Sequence, residues 1–281
     1  MADSSPLIRP MSLSEVETLV EWAGDEGWNP GFADAEAFHA ADPEGFIGCF
    51  VDGRLAAAIA ATAYGREFGF IGLYISHPAF RGKGYGKRVW DAGMERLSGL
   101  SVGLDGVPAQ QENYRKSGFV EQYRTWRWSG HFIGKYEARD DIVPIAPGQL
   151  ADLNEYDRRF FPAARPAFLQ AWTSAPRLSL AIVTDGRIRG YGTLRQCRDG
   201  CKIGPLFVDD DADSQQLFAA LASRSGGQML HIDVPETNTD FSAFLAETGF
   251  EKGFVTARMV RGPAPQAPWR TPAGITTLEL G

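Results

Sequence analysis

The stretch HPAFRGKGYGKRVW, His77–Trp90, decides how this chain is read. It follows a continuous apolar run, FGFIGLYIS (Phe68–Ser76), and leads into KRVWDAGMERLS, which has helical spacing. An unbroken apolar run predicts a central strand buried on both faces. In the segment that follows, Val89, Met94 and Leu97 share one side of the predicted helix. Between strand and helix lie Gly82, Gly84 and Gly86. Glycine removes the side chains that would block an approaching ligand, and it permits positive φ. The first helical turn adds unpaired N–H groups and the positive end of the helix dipole. Arg81, Lys83, Lys87 and Arg88 add charge at the same place. Together these features predict a phosphate or pyrophosphate cradle. The nucleotide-hydrolase pattern G-x-x-x-x-G-K-[ST] is absent, as is the dinucleotide pattern G-x-G-x-x-G; GKGYG supplies only G-x-G-x-G.

Elements on either side read as an α/β chain. LIRPMS begins with a short strand, and Ser12 or Ser14 is placed to cap a helix over SEVETLVEWAGDEG. GWNPG breaks that helix, and ADAEAFHAA supplies a second one. GFIGCFVDGRLAAAIAATAYG reads as a hairpin turned at Asp52-Gly53. Beyond the glycine turn come a buried strand (SVGLDGV), a helix ended by Gly118 (AQQENYRKSGF) and a strand with alternating aromatics (FVEQYRTWRWSG).

The order then repeats. The Asp52 turn matches TDGRIRGYG near Asp185, IGLYIS at Ile71 matches IGPLFV at Ile203, LDGVP at Leu104 matches IDVP at Ile232, and GFVEQYRTWR at Gly118 matches GFEKGFVTAR at Gly249. Four pairs in the same order, each about 130 residues apart, indicate a duplicated fold. The expected organisation is a first domain over 1–134, a linker over 135–146 and a second domain over 147–281. The Pro-rich tail GPAPQAPWRTPAG reads as extended, and ITTLELG as a final strand.

Composition excludes several classes. Among 281 residues the formal net charge is −7, which argues against a nucleic-acid-binding surface and mildly favours a cationic or amine partner. Three cysteines, Cys49, Cys197 and Cys201, suggest no disulfide framework. Cys197 and Cys201 flank a turn-like RDG with no histidine cluster, so no metal site is expected. The N-terminus MADSSPLIRPMSLSEVETLV lacks the basic and apolar regions of a signal peptide, and no apolar run could span a bilayer. The expectation is a cytoplasmic protein without a membrane partner.

RGKGYG resembles the R/Q-x-x-G-x-G/A signature of the GNAT superfamily of acyl-CoA-dependent N-acetyltransferases. NYRKSGF resembles that family's Y-x-x-x-G-F. The order of elements in the first half is similar to a GNAT domain over nearly its whole length, and EGWNPG with the doubling resembles a subgroup carrying a divergent second GNAT-like domain. The resemblance implies two tandem domains, each a mixed, mostly antiparallel twisted sheet flanked by helices. It also implies acetyl-CoA as cofactor and direct attack by a primary amine of a small molecule in a ternary complex.

The family's roles carry over by position. Amides of the turn, Gly82, Lys83, Gly84, Tyr85, Gly86 and Lys87, would grip the pyrophosphate, with Arg81 as a further cofactor-binding residue. Strand residues Tyr74, Ile75 and Ser76 would pair with the pantetheine arm, with the Tyr74 N–H on the thioester carbonyl. The family more often has an apolar residue where Ser76 stands. Tyr114 would protonate the leaving thiolate, or else pack in the core. Many members place a glutamate on the central strand; this strand has none, and Glu67 lies just before it. Asp105 is then a candidate base, or simply a turn-forming residue. His77 reads as a surface residue. Trp28 and Asn29 are candidate acceptor contacts, Trp28 alternatively a core residue. In the second half, DDDADSQQ replaces the basic turn and Leu245 stands where the first half has Tyr114, so a single coenzyme site is expected, in the first half. The second half would complete the acceptor pocket or contribute stability. Rival readings are an acyl-CoA-binding sensor without turnover and a protein or peptide N-acetyltransferase.

Overall fold

A computed structural model describes residues 5–134, 136–263 and 270–281. The first half runs β1 (Leu7–Pro10), α1 (Leu13–Asp25), α2 (Asp34–Ala41), β2 (Phe46–Val51), β3 (Arg54–Tyr64), β4 (Phe68–Ser76), α3 (Tyr85–Arg96), β5 (Ser101–Gly106), α4 (Gln111–Lys116) and β6 (Val120–Gly130). The second half runs β7 (Ile142–Pro144), α5 (Leu150–Asp157), α6 (Pro166–Trp172), β8 (Leu178–Thr184), β9 (Arg187–Gln196), β10 (Cys201–Val208), α7 (Asp211–Ala222), β11 (Leu230–Pro235), α8 (Thr239–Glu247) and β12 (Glu251–Arg261).

Local chemistry accounts for the key elements. Asp52 and Gly53 both take positive φ (50° and 74°), as the tight β2–β3 hairpin requires, and Asp185 and Gly186 repeat this (50° and 73°) between β8 and β9. β3 is alanine-rich and buried, which lets α3 pack closely: a Cβ on Gly93 would lie 3.1 Å from the Ala61 Cβ. Gly118 and Gly249 end α4 and α8 in the left-handed region (86° and 85°).

The duplicated halves do not close two separate sheets. All twelve strands form one sheet in the order β1-β2-β3-β4-β5-β12-β6-β11-β10-β9-β8-β7. β12 lies between β5 and β6, and β6 lies between β12 and β11. Each half thus lends its last strand to the other. Residues 1–134 alone therefore do not complete a sheet. Exchange satisfies the same backbone hydrogen bonds as a self-contained arrangement, and it gives both strands a partner on each side.

Two further expectations change. Ile142–Pro144, placed in the linker, pairs antiparallel with β8 as a short edge strand. Its closing proline is tolerated because the outer side has no partner strand. Lys135 of that linker, and residues 264–269 of the Pro-rich tail, lie outside the described residues. ITTLELG does not form a strand. Gly274 makes an isolated bridge to Leu206, and residues 275–281 pack as largely buried coil and turn. The three cysteines are buried and free. Among the described residues, no helix is long and apolar enough to cross a membrane and no group of three or more His, Cys, Asp or Glu side chains is placed to hold a metal.

Candidate active site

β4 is where the sheet opens. It pairs in parallel with β5 from Phe68–Ser101 to Ile71–Leu104, and the pairing stops there. On its other side β4 continues along β3 to Ser76, with a register shift between Ala58 and Ala60. Leu73 takes φ 46° opposite that bulge, unusual for a side chain of its size. Beyond Ile71 the β4 edge facing β5 therefore has backbone groups free for a ligand strand.

The cradle follows directly. Gly82 and Gly84 have φ of 76° and 83°, and a Cβ on either would meet open space, so backbone conformation is what demands glycine there. Gly86 is required by closeness instead: its Cβ would lie 2.8 Å from Ser76 Oγ and 3.1 Å from the Tyr74 hydroxyl. α3 begins at Tyr85, two residues earlier than its hydrophobic spacing indicated, so the first helical turn is part of the cradle. None of the six amide N–H groups from Gly82 to Lys87 donates to an acceptor in a described residue; the Arg88 amide is the first to do so, to Gly84 O at 3.3 Å. Six consecutive donors without an acceptor among the described residues fit a diphosphate. Arg81 braces the loop by donating from Nε to Ser76 O (3.0 Å) and pairing with Glu26.

A cavity of about 610 Å³ runs from the cradle along the open β4 edge. Ile71–Ser76, Arg81, Leu104, Asp105 and Tyr114 line it from the first half, with Glu26 and Trp28 on the α1 side. Phe254, Thr256, Leu278 and Glu279 line it from the second half. The second half thus contributes part of the cavity wall.

The expected site residues divide here. Tyr114 lies in the wall, with its ring stacked on Trp90 (centroids 5.5 Å). Burial pushes its phenol up to about 12, with Tyr74 adding to the effect. Burial likewise raises Tyr74, with Asp91 contributing. Trp28 lines the cavity, but Asn29 does not: its amide braces the second half, exchanging hydrogen bonds with Asp199 O (2.9 Å) and Asp199 N (3.0 Å). His77 caps a short turn, its Nδ1 accepting from the Ala79 amide. Asp105 is not a turn residue. It sits within β5, and both its oxygens accept from Arg258 of β12 at 2.8 Å. Burial pushes its carboxyl up, against the pull of Arg258.

The second half has the same plan with the site filled. At the equivalent turn Asp210 caps α7, accepting from the Asp213 amide at 2.9 Å, so a carboxylate occupies the place of the cradle. β10 pairs with β11 only from Cys201–Leu230 to Ile203–Ile232, and there too the strands part. The C-terminal tail enters that gap. Gly274 exchanges hydrogen bonds with Leu206 (2.9 and 3.2 Å), and the Ile275 amide donates to Asp233 O (2.9 Å). Leu245, at the Tyr114 position, is fully buried core.

Glu279 and Leu278 escaped the sequence reading. A single glutamate in a C-terminal stretch carries no local signal; its placement depends on the tail crossing from one half to the other.

Comparisons with known proteins agree with this geometry. A profile described as the Acetyltransferase (GNAT) family matches residues 13–119, and one described as an Acetyltransferase (GNAT) domain matches residues 153–271. The chain is 35% identical over 275 residues to a holothin acyltransferase from Pseudoalteromonas sp. (strain SANK 73390), covering 97% of this chain and 94% of that one. The structure of a proposed acetyltransferase from Pyrococcus horikoshii superposes with a TM-score of 0.80 at 21% identity, over 100% of this chain and 98% of that one. A tandem GNAT protein from the clavulanic acid biosynthesis pathway superposes with a TM-score of 0.64 at 14% identity, over 92% and 100%. Members of the family use acyl-CoA. The chain belongs to the GNAT acyltransferase family and carries two GNAT domains in tandem.

Proposed function

We propose that this protein transfers an acetyl group from acetyl-CoA to the primary amine of a small molecule, using one coenzyme site in the first half. The observation that carries this reading is the run of six unengaged amides from Gly82 to Lys87 at the head of an open strand edge. Near full-length similarity to a holothin acyltransferase supports acyl transfer as the reaction. A cavity of about 610 Å³ lies within the range of small-molecule sites, which favours a small acceptor over a polypeptide.

In this reading, bound acyl-CoA supplies the activated acyl group as a thioester. The cradle amides hold its diphosphate, and the free edge of β4 at Tyr74–Ser76 holds the pantetheine amides as an added strand would. The Tyr74 N–H polarises the thioester carbonyl. Trp28 and the second-half wall exclude water from the acceptor side. Tyr114 gives its proton to the departing sulfur. A phenol pushed up to about 12 is a much weaker acid than a free thiol. The same desolvation that raises the phenol also raises a thiol leaving into the cavity, which narrows the gap. Asp105 is committed to Arg258, so proton removal from the amine falls to another group.

Titration calorimetry with coenzyme A and with pantetheine tests the reading. Tight coenzyme A binding at one site per chain, at least tenfold tighter than pantetheine, is expected. Equal affinity for the two would remove the diphosphate cradle and the reading with it.

A further inference from the structure

The cavity wall contains one carboxylate with no role so far. Glu279 is 3% exposed, and neither of its oxygens accepts a hydrogen bond from any described residue. Leaving a buried carboxylate without hydrogen bonds is costly, so such a group calls for a partner. Its position is firmly built. The Glu279 and Leu280 amides both donate to Thr277 Oγ1 (3.0 and 2.9 Å), and Tyr64 donates to Leu280 O (2.9 Å). The tail also lies directly on β4: a Cβ on Gly72 would come within 1.8 Å of Glu279 O, so only glycine admits the tail there. Gly72 is two residues from Tyr74, the amide placed at the thioester carbonyl.

The surrounding charges are those of the junction. Arg127 of β6 and Lys202 of β10 interact electrostatically with Glu279 and offset its charge, but neither forms an ion pair with it. Arg127 is committed to Asp233 at 2.8 Å, and Lys202 Nζ reaches only Trp28 O at 3.4 Å. Asp105, which also lines the cavity, is neutralised by Arg258. Glu279 is thus the wall carboxylate not taken up by a cation.

We infer that Glu279, delivered by the C-terminal tail, binds the ammonium group of the acceptor and accepts its proton. The inference rests on the amine-acylation reading. The ammonium gives one proton to the Glu279 carboxylate, which passes it to solvent. The freed nitrogen lone pair attacks the thioester carbonyl carbon, so a C–N bond forms and the C–S bond breaks. Tyr114 protonates the departing sulfur, and the second proton lost from nitrogen restores the phenol. The tail therefore has two tasks: its Gly274–Ile275 part fills the second-half cleft, and its Glu279 part equips the first-half one.

The experiment compares the unaltered chain with Glu279→Gln and Glu279→Asp. Benzylamine, tyramine and spermidine serve as probe amines. Binding of each amine to the coenzyme A-loaded protein is measured by calorimetry, and thiol release from acetyl-CoA is measured separately. At least one amine should bind the unaltered chain. Glu279→Gln should weaken that binding at least tenfold and lower turnover about 100-fold, with coenzyme A affinity within twofold and Glu279→Asp recovering part of both. Amine binding that is lost in Glu279→Gln, without turnover in the unaltered chain, would uphold the inference and refute acyl transfer to these amines. Turnover and binding unchanged in Glu279→Gln would refute the inference and leave acyl transfer standing. Failure of the unaltered chain to bind any of the three amines would also refute it. If Glu279→Gln does not fold, Glu279→Asp decides: unchanged amine affinity counts against the inference, a tenfold loss for it.

Discussion

Arg258 donates two hydrogen bonds of 2.8 Å to Asp105, directly across the β12–β5 register, joining strands 153 residues apart in the chain. The duplicated fold repeats the pair on its other side: Arg127 of β6 holds Asp233 of β11 at 2.8 and 3.0 Å, again directly opposite in register. These two pairs pin the exchanged strands into the sheet.

Asp105→Ala should therefore act mainly on stability. It leaves the Arg258 guanidinium buried without a partner, which costs about 3–5 kcal/mol. Chemical denaturation should show an unfolding free energy lower by that amount. A folded Asp105→Ala protein of unaltered stability that had lost turnover would instead make Asp105 the base.

The two aspartates are shifted in opposite directions. Burial raises both carboxyls, but Asp233 has Lys202 and Arg195 behind Arg127, and together they bring it down to about 2. A carboxylate with a depressed folded value stabilises above its unfolded value near 3.9 and loses that contribution as pH falls through the folded value. About 2 kcal/mol of stability should disappear between pH 4 and pH 2, and Asp233→Asn should flatten that part of a pH–stability curve.

Tyr114→Phe should lower kcat about 10- to 100-fold while leaving coenzyme A affinity unchanged. Because burial raises this phenol to about 12, it stays protonated throughout pH 6–10. A pH–rate profile should thus show no alkaline fall from this group below about pH 10. An unchanged kcat in the phenylalanine variant would assign Tyr114 to packing alone.

Gly84→Ala separates cradle from scaffold. Alanine at φ 83° costs about 1 kcal/mol of stability, read as a small drop in Tm. Coenzyme A affinity should fall at least tenfold, because the strained turn moves the amides off the diphosphate. Gly82→Ala should behave similarly, and Gly99→Ala, at φ 81° outside the cavity, should lose stability without losing affinity.

Local chemistry made much of this legible. Gly82 and Gly84 announce a strand–turn–helix loop through backbone conformation, and Asp52-Gly53 and Asp185-Gly186 announce hairpins in the same way. The four repeated segments land on equivalent strands. What stayed hidden depends on neighbours far away in the chain. β6 and β12 carry the same alternating pattern whether they pair within their own half or across it, so exchange leaves no trace in the pattern. Asp105 looks like a turn residue until Arg258 is placed opposite it. The tail residues Gly274–Gly281 are apolar enough to suggest a strand, yet the gap between β10 and β11 admits only two of them before the chain crosses to Gly72. Glu279 acquires chemical meaning only from that crossing.

The most direct test is a crystal structure of the protein with coenzyme A. Diphosphate oxygens should lie about 3 Å from several amide nitrogens between Gly82 and Lys87, with the pantetheine arm paired to β4 at Tyr74–Ser76 and no coenzyme at the Asp209–Asp213 turn. A diphosphate bound anywhere else, with those amides facing solvent, would contradict the assignment of this loop and the chemistry built on it.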